Sequence, residues 1–324
     1  MNSKERIMAA IAREKTGRVP SAFWLPDSFG REDPAENAER TVQFWKTWDT
    51  DLVIPVNERG YAWKDYAPPA VTQNGGVLYT THPDEWRHMA AVSVNHGALG
   101  RAQETLAAVL EKTGSSAVVL FRIASPLAAL LQMAPQAAED IRRGYGEAVK
   151  SALRTMTETE CALVQRAVEM GADGIFLEAP LADYEDMEEP VYREYGMPYD
   201  LAVLSASAGW CNAVRAGMTN CMFPLVRKYP AQIFSWDASC LLPRPGEAQA
   251  LTGRCIMAGI RRRHLEFGMK NETERDLYDI LIETGGRGLI LSAGAPVHPR
   301  RGMAAFFRRS LQEMEERLLC PEKG

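Results

Sequence analysis

The sequence alternates short, nearly continuous apolar runs with longer stretches of helical spacing, and it does so about eight times. The runs are VPSAFW (19–24), DLVIPVN (51–57), AVVLFRIA (117–124), GIFLEAP (174–180), CNAVRAGM (211–218), QIFSWDA (232–238), CIMAGI (255–260) and GLILSAG (288–294). Apolar runs of this kind suit parallel strands buried on both faces. Between them lie amphipathic stretches such as 98–114, 135–171, 272–286 and 304–319. Several end in glycine just before the next run, at Gly114, Gly171 and Gly286, where a helix would be capped. Strand then helix, repeated in this way, predicts an α/β fold built as one (β/α)8 TIM barrel over residues 1–324. A doubly wound open sheet is the rival. No run is followed by a Gly-rich dinucleotide turn, and the glycines of GGRGLI (285–290) precede a strand, where they cannot cradle phosphate.

Two features decorate the barrel. Asn2 and Glu5 have the spacing of a capping box, which predicts an N-terminal helix. The segment KDYAPPAVTQNGGVLYTTHPDEW (64–86) interrupts the alternation and reads as a hairpin excursion after the second strand.

Charge and composition exclude whole classes of function. A formal net charge of -5 argues against a nucleic-acid surface, which draws on clustered Lys and Arg. No apolar stretch approaches a membrane span, and MNSKERIMAAIAREK lacks the apolar core of a signal peptide. The 6 cysteines form no Cys-x-x-Cys pair and read as thiols in a reducing compartment, so a cytoplasmic protein is expected.

NSKERIMAAIAREKTGRVP (2–20), DTDLVIPVNERGY (49–61), WCNAVRAGMTNCMF (210–223), KYPAQIFSWD (228–237) and ETGGRGLILSAGAPVHP (283–299) resemble the uroporphyrinogen decarboxylase superfamily. Its members are porphyrinogen decarboxylases and corrinoid-linked methyltransferases. The resemblance implies one (β/α)8 barrel with its site at the C-terminal mouth. It also implies a corrinoid carrier protein as partner, with the corrinoid supplied by that partner and no cofactor bound by the chain itself. The family tends to dimerise, so a homodimer is among the implied assemblies.

That family carries two catalytic patterns. The decarboxylases resemble one another in an Arg-rich first loop, an acid after the second strand, a Tyr after the third and a His after the last. Here WLPDSFGRED (24–33) offers Arg31, the second strand is followed by Asn57 and Glu58, Gln132 stands near the place of the Tyr, and Ala295 replaces the His. The methyltransferases resemble one another in a His-x-Cys or His-x-His after a middle strand and a Cys after the last, which together hold zinc. Those positions fall on Arg215, Gly217 and Ala295, none of which binds zinc in that manner. No metal site is therefore expected.

Charged and polar residues at the C-terminal ends of barrel strands meet the mouth. On that rule Asp237, Glu178, Arg215 and His298 are the catalytic candidates, and Trp24, Asn57, Glu58, Arg122, Trp236 and Arg261 the substrate-binding ones. The bland alternative is that some of them pair as structural ion bridges, Arg215 with Glu178 or Asp237 among them. Arg215 places a fixed positive charge where the relatives keep a metal, and a guanidinium there suits a carboxylate or phenolate. His298, three residues beyond Ala295, is a candidate acid or base. Three functions follow as expectations. The first is a corrinoid-linked methyltransferase acting on a small molecule without the family zinc. The second is a carboxy-lyase with Arg122, Arg215 and Arg261 as clamps, and the third is a non-catalytic barrel that binds a corrinoid or its carrier.

Overall fold

The computed structural model describes residues 1–66, 71–74, 77–80, 82–237 and 242–319. Seven parallel strands form one sheet in the order β1 (Leu52–Val53), β4 (Val118–Ala124), β5 (Gly174–Ala179), β6 (Ala213–Ala216), β7 (Ile233–Ser235), β8 (Cys255–Gly259) and β9 (Leu289–Ser292). The first predicted run, 19–24, makes no strand of its own. It touches the sheet through one parallel bridge, Ser21 to Leu291. The Ala22 N–H donates to the Leu291 carbonyl, the Leu291 N–H to that of Pro20, and the Asp51 N–H to that of Ser21. The 20–22 stretch thus links β9 to the start of β1 and curls the sheet on itself. Pro20, which has no N–H to give a ladder, keeps the contact short.

Alternation along each strand sorts the side chains into two layers. Val118 and Leu120, Phe176, Ala213, Ile233, Cys255 and Met257, and Ile290 join Leu52, Ile54 and Trp24 in an inner cluster. Val119, Phe121, Ile123, Ile175, Leu177, Val214, Phe234, Ile256, Leu289 and Leu291 belong to the outer layer against the helices. Ile7 and Ala10 of the N-terminal helix Ser3–Ile11 join the inner cluster at the opposite end from the mouth. That helix starts with the expected capping box between Asn2 and Glu5.

The hairpin excursion is also present: β2 (Val71–Asn74) pairs antiparallel with β3 (Val77–Thr80), Asn74 opposite Val77. Its turn residues, 75–76, lie outside the described residues, as do 67–70, 81, Cys240 and Cys320. Cys211 and Cys255 are buried in the inner cluster. Among the described residues no helix is long and apolar enough to cross a membrane.

Candidate functional site at the barrel mouth

The inward positions of the strands are apolar until their C-terminal ends, where they turn polar. On β4 the inward residue after Leu120 is Arg122; on β5 the one after Phe176 is Glu178; on β6 the one after Ala213 is Arg215. Register sets these three side by side, with Phe176 opposite Arg122 on one side and Arg215 opposite Glu178 on the other. Arg122 Nε donates to Glu178 Oε2 at 2.5 Å, and its Nη1 to Asp27 of the first loop. Arg215 Nη1 lies 3.7 Å from Glu178 Oε1. Glu178 therefore stands between two guanidinium groups, and both arginines are buried.

Burial pulls the pKa of Arg122 down, but Glu178 and Asp27 together raise it above the ordinary arginine value. For Arg215 burial wins, and the pKa falls despite Glu178 and Asp237. An arginine remains charged at neutral pH even so. Its Nε donates to the Gly294 carbonyl at 2.6 Å, while Nη2 has no hydrogen-bond partner. Gly294 must be glycine: φ is +63, and a Cβ there would fall 1.6 Å from the Trp236 carbonyl oxygen. The loop after β9 is thereby pressed onto the end of β7, which brings its carbonyl to Arg215.

Trp24 and Asn57, at this end of the barrel, also carry buried polar atoms without partners. Trp24, 1% exposed, packs edge-on against Phe176 at 4.9 Å, and its Nε1 is unsatisfied. Asn57, 2% exposed, follows β1, and neither its Oδ1 nor its Nδ2 is bonded. The first loop presses on it so closely that a Cβ at Gly30 would lie 1.9 Å from the Asn57 carbonyl oxygen. Buried polar atoms are normally satisfied, so a cluster of exceptions marks a place built for something else.

The other predicted residues are distributed more widely. Asp237 is buried just beyond β7 and acts electrostatically on Arg215. Trp236 belongs to the outer layer, edge-on to Phe223 at 5.6 Å. Glu58 accepts from Lys64 Nζ and Arg101 Nη2, each at 2.6 Å. Arg261 donates through Nη1 to Asp276 at 2.6 Å and is half exposed. His298 lies at the rim, with Nδ1 2.7 Å from Glu266 and its ring 5.9 Å from Phe29. Arg31 donates to the carbonyls of Ser28 and Gly30 within its own loop. Ala295 is fully buried.

Sequence reasoning missed Asp27 and Tyr61. Tyr61 donates its hydroxyl to the Arg122 carbonyl at 2.5 Å, and burial raises its pKa. Asp27 sits in the same loop as Arg31, where no strand alternation marks which side chain turns inward. Among the described residues no group of three or more His, Cys, Asp or Glu is placed to hold a metal. The residues at the family zinc positions do not fit that ion, since Arg215 brings a cation, and Gly217 and Ala295 bring no donor side chain.

No protein-family model matches the sequence, and no curated protein matches it significantly. Solved structures do. A methyltransferase from Methanosarcina mazei is 13% identical with a TM-score of 0.77, covering 97% of this chain and 99% of that one. A B12-independent methionine synthase from Shewanella sp. W3-18-1 is 11% identical with a TM-score of 0.60, covering 92% of this chain and 97% of that one. At such identities the likeness is one of fold. The chain has the α/β barrel fold of these two proteins, the fold implied by its resemblance to the uroporphyrinogen decarboxylase superfamily.

Proposed function

We propose that this chain is a methyltransferase-type barrel that binds a small methylated or methoxylated molecule at the mouth and passes its methyl group to a corrinoid carried by a partner protein. The observation that carries this reading is Arg215, whose buried guanidinium occupies the mouth with one nitrogen unpartnered. Methyl transfer leaves an electron pair on the departing oxygen or nitrogen, and a fixed donor aimed at that atom stabilises it without a metal. Glu178 and Asp237 set the orientation of Arg215, so they position and polarise through it. Asn57 and Trp24 line the mouth.

Arg122 and Arg261 each bond carboxylates of the chain itself, so a lyase that used them as clamps would have to draw them from Asp27, Glu178 and Asp276. The test is methylation of cob(I)alamin, followed by its visible spectrum, with a panel of methoxylated aromatics and methylated amines as donors. Asp237→Ala should abolish turnover with the fold intact; a variant as fast as the parent removes Asp237 from the mechanism. Failure of every donor to methylate the corrinoid would overturn the reading.

A further inference from the structure

The unsatisfied atoms at the mouth specify more than a place. Arg215 Nη2 and Trp24 Nε1 are donors only, whereas the Asn57 amide leaves one donor and one acceptor open on the same side chain. All three residues are at least nine-tenths buried, at 4%, 1% and 2% exposure. Arg215 lies near the C-terminal end of β6, Asn57 four residues past β1, and Trp24 at the end of the 19–24 run that bridges β9; Arg215 reaches from β6 to Gly294 in the loop after β9.

We infer that the substrate carries two polar functions: an acceptor oxygen or nitrogen that takes Arg215 Nη2, and a hydroxyl or carboxamide read by Asn57. The inference rests on the methyl-transfer reading only in identifying the first function as the one that bears the methyl group. The second follows from complementarity. A hydroxyl or a carboxamide both donates and accepts, so it satisfies Asn57 Oδ1 and Nδ2 together. A carboxylate accepts only and sets its charge against Oδ1, and a methyl or ring edge satisfies neither atom. Leaving a buried donor or acceptor unpaired costs about as much as desolvating it, which is how a site built for a hydroxyl rejects the analogue without one. The indole of Trp24 packs edge-on against Phe176 in the inner apolar cluster below. Asn57 is therefore a specificity-determining residue.

The probes are 2-methoxyphenol, anisole and 2-methoxybenzoate, titrated calorimetrically into the full chain. We expect 2-methoxyphenol to bind about 10-fold or more tightly than either of the others. Asn57→Leu, which keeps the shape and removes both polar atoms, should erase that preference. Equal affinities, a preference for the carboxylate, binding of none of the three, or a preference that survives in Asn57→Leu would each overturn the inference. The ligand series on the unaltered chain decides the matter even if the variant fails to fold. A hydroxyl preference without methylation of the corrinoid would sink the methyl-transfer reading and leave this one standing; methylation without the preference would do the reverse.

Discussion

Arg215 Nε donates to the Gly294 carbonyl at 2.6 Å, joining the end of β6 to the loop after β9. The resemblance to the methyltransferases implies zinc ligands at the position of Arg215 and, beside Gly294, at that of Ala295. Here the same convergence is kept by a guanidinium and a backbone carbonyl. The link is a hydrogen bond and depends on the path of the loop.

Gly294→Ala tests that dependence. The position has φ +63, and an added Cβ would meet the Trp236 carbonyl oxygen at 1.6 Å, so backbone must move. Left-handed geometry alone costs a non-glycine residue about 1–2 kcal/mol. Gly253 has φ +64 with nothing within 4 Å of an added Cβ, which makes Gly253→Ala the matched control. Urea denaturation should show a larger loss at 294 than at 253; equal losses would mean that the loop is not pinned.

Arg122→Met leaves Glu178 short of its nearest cation. Breaking a buried pair from one side costs about 3–5 kcal/mol, because the remaining charge is still buried. Arg122 and Glu178 side chains are 8% and 13% exposed, so solvent screens them little. The double variant with Glu178→Gln should recover part of that loss, and a double-mutant cycle with no coupling would refute the pairing.

The strand runs were legible because parallel strands in a barrel are apolar on both faces, and seven of the eight became strands of one sheet. The first became a single bridge, since strand length there is set by Pro20 and by contacts to β1 and β9, which no local pattern encodes. Within the site, inward-facing charges at strand ends were readable from alternation, as Arg122, Glu178 and Arg215 show. What alternation could not reveal is where a long side chain goes once the strand stops. Arg261 turns to Asp276 of the helix Lys270–Thr284, and Glu58 to Lys64 and Arg101. The Arg261–Asp276 and Glu58–Arg101 pairings join residues from different elements, which no local pattern shows.

Glu160 is a buried carboxyl whose oxygens lack hydrogen-bond partners. It lies on the helix Gly146–Glu169 at 2% exposure. Burial, with a contribution from Asp200, raises its pKa well above the usual carboxyl range. Glu160→Met keeps the length and removes the unsatisfied group, so the variant should be as stable as the parent or more so, by up to about 3 kcal/mol. A clear loss in thermal or urea denaturation would show that Glu160 has a partner in solution.

Glu315 predicts a pH dependence whose sign is fixed by its surroundings. Burial raises its pKa to about 7, against the opposing pull of the Val19 N–H and of Arg18. A carboxyl whose folded pKa is raised holds its proton more tightly when folded. Its stabilising contribution is complete below the unfolded pKa, about 4.3, and is lost as pH rises from there to about 7. Glu315→Gln keeps an acceptor for Val19, whose N–H lies 2.5 Å from Oε1, and removes the titration. Relative to the parent, the variant should gain on the order of 1–3 kcal/mol between pH 4.5 and pH 8. Urea denaturation at the two pH values measures this directly, and parallel pH profiles for the two proteins would place the Glu315 carboxyl near its ordinary value.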